Sequence, residues 1–325
     1  MMKIFSRIAM LFAFMLMSAI SVAQLRWQNV DSLYAPLPAS VHVYKSTDSV
    51  GGKPNVAFYV EADLNDRALV FNTDTTFRRR LTPTGFYEKN SQPLVVVNTT
   101  FFSFQTNQNL NTVIRNGRQL GYNIHTVNGR GKDTFTYKHP FTGAIGISKR
   151  RKADVAWVFS DSTSRRAYAF QMPVEAYKDS SVKLSRKKAG SLYGKNVPEL
   201  RKWKMNTAVG GGPVLVQNGN TSISNNEEMK FAGKAVSDRH PRTAMGYTQN
   251  GKLIILVIQG RMPGVAEGAD LTQEAVILKD LGCTEALNLD GGGSSCLLVN
   301  GKETIKVSDK EGQRPVPAVF IIARK

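Results

Sequence analysis

The run "DLTQEAVILKDLGCTEALNLDGGGSSCLLVNGK", residues 270–302, decides the fold. Asp270 reads as a helix N-cap, and Gln273 three residues on completes the spacing of a capping box. Leu271, Ala275, Leu278 and Leu281 recur at helical intervals, and Gly282 supplies the stop. Residues 284–289 then read as a strand ending at Asp290. Alternation puts Ala286, Asn288 and Asp290 on one side and Leu287 and Leu289 on the other. Three glycines and two serines follow before a second apolar strand, which closes on Asn300-Gly301.

The rest of the chain repeats the strand signal. Short β-prone runs stand at 56–62, 68–73, 93–98, 142–148, 154–159, 167–172, 213–217, 253–259 and 318–323. Several are continuously apolar, as expected of strands covered on both faces. Asn-Gly pairs, suited to the left-handed positions of hairpin turns, occur at Asn116-Gly117, Asn128-Gly129, Asn218-Gly219, Asn250-Gly251 and Asn300-Gly301. Residues 174–205 are polar, basic and weakly periodic; they read as a surface excursion with a helix near "PELRKWK" (198–204). The fold class that follows is α/β of the α+β kind: a mixed, largely antiparallel β-sheet core with a few packed helices.

The first 23 residues carry Lys3 and Arg7, an apolar stretch over 8–20 and a Ser21-Val22-Ala23 cleavage pattern, the layout of a secretory signal peptide. No other apolar run reaches the roughly 18 residues of a membrane span. The expectation is an exported chain, periplasmic or secreted, with no stable membrane insertion after cleavage. Residues 24–90 form either the N-terminal β-rich part of one fold or a small extra domain, and 91–325 form the main domain. The net charge of +18 favours anionic partners. The basic clusters "FRRR" (77–80), "SKRRK" (148–152) and "SRKK" (185–188) are short and scattered, and no nucleic-acid-binding pattern accompanies them. Cys283 and Cys296 lie in no CxxC pair, and their pairing is open. His42, His125 and His139 are isolated and read as structural.

Four segments carry polar groups at strand ends. In "ALNLDGGGSS", Asn288 and Asp290 project together, Gly291, Gly292 and Gly293 can turn backbone N–H groups inward as an anion nest, and Ser294 and Ser295 add hydroxyls. In "SDRHPRTAMG", Arg239, His240, Arg242 and Thr243 stand at a strand entrance, an arrangement suited to clamping an anion. In "VVVNTTFFSF", Asn98, Thr100 and Phe102 set polar groups beside aromatic rings, as a sugar site does. In "AVGGGPVLVQNG", Gly211 and Gly212 offer a second bare backbone. HExxH, GxSxG, Walker A and EF-hand patterns are absent. No cofactor is required by these residues, and a divalent cation beside Asp290 stays open.

Taken in order, "GGGPVLVQNG", "RHPRTAMG", "GADLTQEAVILKDLG" and "ALNLDGGGSS" resemble the phosphodiester glycosidase family over roughly residues 90–325. The resemblance implies hydrolysis of a sugar-1-phosphodiester to free sugar and phosphomonoester; N-acetylglucosamine is the sugar of one family member, and the sugar and aglycone here stay open. It implies a phosphorylated sugar or envelope glycan as partner, Asp290 at the anomeric carbon, and the arginines and glycine loop at the phosphate. Where the family carries Asn-Gly-Gly before an aromatic pair, this chain has Asn98-Thr99-Thr100-Phe101-Phe102, which implies a reshaped acceptor pocket. Two other readings stand beside it: a phosphodiesterase that cleaves P–O, and a non-catalytic binder of anionic envelope polysaccharide. Oligomeric state is open.

Overall fold

The alternation of apolar positions that defines the strands also decides which core each side chain enters. The computed structural model describes residues 24–129, 131–160, 166–191 and 199–325; the signal peptide read at 1–23 lies outside the described residues. The strands that build the core are β1 (Val41–Ser46), β2 (Ala57–Asp63), β3 (Leu69–Thr75), β4 (Val95–Asn98), β5 (Thr142–Ile147), β6 (Ala153–Phe159), β7 (Thr207–Gly210), β8 (Val214–Gln217), β9 (Arg242–Thr248), β10 (Lys252–Ile258), β11 (Cys283–Asn288), β12 (Leu297–Val299) and β13 (Ala318–Arg324). Among the described residues the α-helices are α1 (Pro83–Lys89), α2 (Arg186–Ser191), α3 (Asn225–Glu228) and α4 (Leu271–Asp280).

An eight-stranded sheet runs β1-β2-β10-β9-β11-β8, with the short strands Gln28–Asn29 and Asn220–Thr221 at its edges. A five-stranded sheet runs β12-β4-β13-β3, with Lys302–Glu303 beside β12. A seven-stranded sheet is centred on β6-β5-β7. The pairs that build these three sheets are antiparallel. Residues 41–75 share sheets with the main domain: β2 pairs with β10 from Lys252↔Asp63 to Ile258↔Ala57, and β3 with β13 from Ala318↔Thr75 to Arg324↔Leu69.

The central core lies between sheets. Val60, Ile255, Val257 and Leu287 meet Val95, Val97, Phe320, Ile145 and Trp157 there. The alternate residues Ile254, Leu256 and Ala286 face outward under α4, against Leu271, Ala275 and Leu278. Val96, Leu298 and Ile321 do the same under α1, against Phe86. Both faces of the central strands are therefore apolar, which is why their sequences run without interruption. α4 carries the full capping box: Asp270 accepts from Gln273 N–H, and the Gln273 side chain accepts from Asp270 N–H.

Two readings need correction. No helix forms around 199–204: Arg201–Lys202 is a strand paired with Tyr168 and Ala169, and Trp203 is buried, its indole N–H bonded to Asp154. Burying that indole and pairing the strand edge outweigh the local helix preference. The helix of this region is α2, built on the basic "RKK" run. Asn128-Gly129 forms no hairpin turn, since neither residue is left-handed, whereas Asn116-Gly117, Asn218-Gly219 and Asn300-Gly301 are left-handed at both positions. Cys283 and Cys296 are free, buried thiols in separate clusters.

Candidate active site

Asp290 stands just past β11, where the eight- and five-stranded sheets meet. Its N–H donates to Thr99 O at 2.8 Å, and its carbonyl accepts from Asn98 Nδ2 at 2.6 Å. Beneath this seam Asn98 Oδ1 accepts from Cys296 N–H at 3.0 Å and from Thr243 Oγ1 at 3.1 Å. Thr243 Oγ1 lies 3.1 Å from Ser295 Oγ. Asn98, Thr243 and Ser295 are buried and hold Asp290 in place. Thr100 also turns inward, bonded to Asn109. Phe102 packs in the cluster under α1. Neither Thr99 nor Thr100 is left-handed, so the positions where the family carries glycine need no glycine geometry here.

The Asp290 side chain is half-buried. Burial pushes its carboxyl up to about 6, against the opposing pull of Ser294, Lys230 and Arg314. Ser294 Oγ comes close to the carboxylate without reaching hydrogen-bond geometry. Lys230 Nζ lies 3.5 Å from the centroid of the Phe101 ring, and burial lowers its pKa against the pull of Glu228 and Asp290. Four buried polar atoms lack a partner around this point: Thr99 Oγ1, Asn288 Oδ1, Ser294 Oγ and His240 Nδ1. Buried polar groups are normally satisfied, so such a concentration marks a place where a polar ligand belongs. Among the described residues no group of three or more His, Cys, Asp or Glu side chains gathers as a metal cage.

The glycine loop is also bare for a reason that the sequence does not show. Gly292 N–H donates to Pro241 O, Ser294 N–H to Gly291 O and Ser295 N–H to Gly292 O, while Gly291 N–H is directed at the Asp290 carboxylate. Side chains are excluded by the protein's own groups. A Cβ on Gly291 would lie 2.7 Å from Pro241 O, and one on Gly292 (φ +62°) would lie 2.9 Å from Arg261 Nη2. One on Gly293 would fall on Arg314 and Asp309. The loop thus carries two guanidinium groups, Arg261 and Arg314, directly against its backbone. The second run behaves alike: Gly211 packs on Leu289, and Gly212 (φ +112°) packs on Glu228. Asn288 Nδ2 reaches Gly212 O at 2.7 Å, tying the two runs together.

The arginines expected to clamp an anion spend donors within the protein, and Arg239 Nε has no partner among the described residues. Arg239 donates to Gln273 Oε1, Val50 O and Gly268 O, and the buried Arg242 donates to Ala269 O and Asp238 O. Behind Arg242, Glu274 is fully buried with both oxygens unpartnered, and burial pushes it up to about 8. His240 sits beside the loop through the Pro241–Gly292 bond. Partial burial and the charges of Arg242 and Arg261 lower its pKa, so its imidazole is neutral near pH 7.

The cationic groups that gather around Asp290 and its glycine loop were not legible as such. Arg261 ends the strand run "LIILVIQGR", and strand-end logic of the kind that found Asp290 would have found it. Lys230 and Arg314 lie in aperiodic loops, and only tertiary structure brings them in. Lys230 is anchored through Glu228, which accepts from Gly143 N, Val214 N, Trp157 Nε1 and Ser224 Oγ. Arg261 (φ 62°) and Met229 (φ 50°), the residue before Lys230, are both left-handed non-glycines, a form of strain that gathers at functional sites.

A family model described as phosphodiester glycosidase matches residues 91–323, most of the chain. The chain belongs to the phosphodiester glycosidase family. Mouse N-acetylglucosamine-1-phosphodiester alpha-N-acetylglucosaminidase is 32% identical over 95 residues, covering 27% of this chain and 18% of that protein. The SPbeta prophage-derived uncharacterized protein YomE of Bacillus subtilis is 37% identical over 71 residues, covering 22% of this chain and 11% of that protein. The matches therefore span less than a fifth of either relative. Among solved structures, the catalytic domain of the zebrafish N-acetylglucosamine-1-phosphodiester alpha-N-acetylglucosaminidase, auto-inhibited by its pro-peptide, superposes with a TM-score of 0.59 at 20% identity, over 93% of this chain and 89% of that one. A hypothetical protein from Synechocystis superposes with a TM-score of 0.61 at 16% identity, over 92% of this chain and 64% of that one. At those identities the likeness establishes the fold. In this phosphodiester glycosidase family member the matched stretch contains Asp290, Lys230, Arg261 and Arg314 together, while β1, β2 and β3 complete its sheets from outside that stretch.

Proposed function

We propose that this protein is an exported hydrolase that cleaves a sugar-1-phosphodiester at the anomeric carbon–oxygen bond. The observation that carries the reading is the carboxylate of Asp290, held at a sheet seam among unpartnered polar atoms and faced by Lys230 and Arg314, with Arg261 against the glycine loop that follows it. Glycoside cleavage passes through an oxocarbenium-like state, which a carboxylate stabilises or attacks. The leaving group is a phosphomonoester, already a weak base, so it needs charge stabilisation more than a proton. Fixed cations supply that stabilisation. Asp290 serves the anomeric carbon; Lys230, Arg261 and Arg314 hold the phosphate; neutral His240 accepts a hydrogen bond from the attacking water. The C1–O bond breaks with its oxygen staying on phosphorus. The water oxygen goes to C1 and its proton to solvent through His240.

The test is release of N-acetylglucosamine from a synthetic alpha-linked sugar-1-phosphodiester in ¹⁸O-water, with and without chelator. Turnover with label in the sugar, reduced by a factor of about 10³ or more in Asp290→Asn, is the expected result. Label in the phosphate would mean P–O cleavage, and binding without turnover would mean a binding protein. Loss of activity with chelator would add a divalent cation to the site.

A further inference from the structure

The cluster "FRRR" is not accounted for by the cleavage step, yet the fold brings it to the active site. Arg80 lies 5.2 Å from the Phe102 ring centroid and 5.6 Å from that of Phe104, and the two rings are 4.8 Å apart. Arg314 lies 5.3 Å from the same Phe104 ring. Arg314 is also the residue packed against Gly293 and pulling on Asp290. A continuous path therefore runs from Asp290 through Arg314 and Phe104 to Arg80. Arg78, 5.3 Å from the Phe77 ring, and the exposed Arg79 continue it outward.

Three features of the path point to a ligand. Phe104 is 64% exposed and Phe77 83% exposed, unusual for phenylalanine and consistent with flat platforms for a sugar or polyol. Arg78, Arg79 and Arg80 form no ion pair among the described residues. A guanidinium set over a ring also keeps its in-plane N–H groups for a phosphate, the bidentate mode in which Arg surpasses Lys. Asp309 fixes Arg314 through Nε and Nη2, at 2.7 and 2.9 Å, and Nη1 has no hydrogen-bond partner among the described residues.

We propose that this path is the subsite for the leaving-group side of the substrate, and that the leaving group carries at least one further phosphate. The substrate class is then a poly(glycosyl phosphate) chain, or a sugar-1-phosphate linked to a poly(polyol phosphate) chain, not a phosphodiester with a neutral aglycone. Arg80 and Phe104 set this specificity; they take no part in the bond cleavage. The inference rests on the glycosidase reading for its place in a reaction but not for its binding chemistry.

The experiment compares two substrates sharing one sugar-1-phosphodiester, one with a methyl aglycone and one with a glycerol 3-phosphate aglycone. Binding of glycerol 1,3-bisphosphate alone is measured in parallel by calorimetry. The expected kcat/KM is about tenfold higher for the phosphorylated aglycone, and Arg80→Ala and Phe104→Ala each bring the ratio near unity. Arg150→Ala, which removes a positive charge from the "SKRRK" cluster instead, leaves the ratio in place. Arg80→Ala also weakens the bisphosphate about fivefold or more. A wild-type ratio of one where turnover is seen overturns the subsite, and bisphosphate binding indifferent to Arg80→Ala overturns it whether or not turnover is seen. Arg80-dependent binding with no turnover of either substrate overturns the glycosidase reading and leaves the subsite standing.

Discussion

At the scale of single residues, Asp290 and Lys230 tie activity to pH. The proposed chemistry needs Asp290 ionised and Lys230 protonated. Burial raises the first group to about 6 and lowers the second below the ordinary lysine value. Activity should therefore rise as pH climbs through about 6. It should fall again at a pH below that at which an ordinary lysine titrates. The limbs are separable: Lys230→Met lowers kcat/KM and removes the alkaline fall while the acid limb stays. A pH–rate profile of kcat/KM checks this, and an alkaline limb that survives Lys230→Met would take Lys230 out of the site. Asp290 was readable because strand alternation and a glycine run flag it locally. Lys230 and Arg314 carry no local flag, since their meaning depends on partners 60 and 24 residues away in the chain.

At the scale of elements, the loop after β11 joins sequence to chemistry. Its glycines were legible as a bare backbone, but what occupies the space was not. Arg261 arrives just past the end of β10, where only its strand-end position marks it, and Arg314 from the segment before β13, where no periodicity announces it. Gly293→Ala is the sharp test. Its Cβ would fall on the Arg314 guanidinium and Asp309, so one of them must move. Overpacking of this kind costs about 1–3 kcal/mol. Gly293 lies outside the left-handed region, so no backbone strain adds to it. The expected result is a fall in kcat/KM of tenfold or more with the thermal midpoint lowered by only a few degrees. A variant with full activity would mean that the position of Arg314 does not matter. α4 shows the opposite case: its cap, apolar face and glycine stop are all local, and each is found where the sequence put it. Residues 199–204 show why locality fails elsewhere. There a helix preference gives way to a buried indole and a strand edge that only the folded sheet supplies.

At the scale of the whole molecule, strand positions followed from the sequence, whereas sheet order did not. Pairing β2 with β10 and β3 with β13 joins segments nearly 200 and 250 residues apart, which no local pattern encodes. The consequence concerns residues 24–90, outside the family-matched stretch. Removing them would strip β10 and β13 of seven-residue partners and expose their backbone edges. It would also take Val41, Val43, Phe58, Val60, Leu69 and Phe71 from the central core. At about 1.5–3 kcal/mol for each large apolar side chain, that loss matches or exceeds the net stability of about 5–15 kcal/mol typical of a domain. A chain of residues 91–325 alone should therefore show no cooperative thermal unfolding and should bind dyes that report exposed apolar surface. A sharp unfolding transition in that fragment would instead establish residues 24–90 as a separable appendage. The site would then owe its geometry to the matched stretch alone. The expected collapse would mean that Asp290, although more than 200 residues from β3, is held in place only in a molecule whose first strands close both sheets.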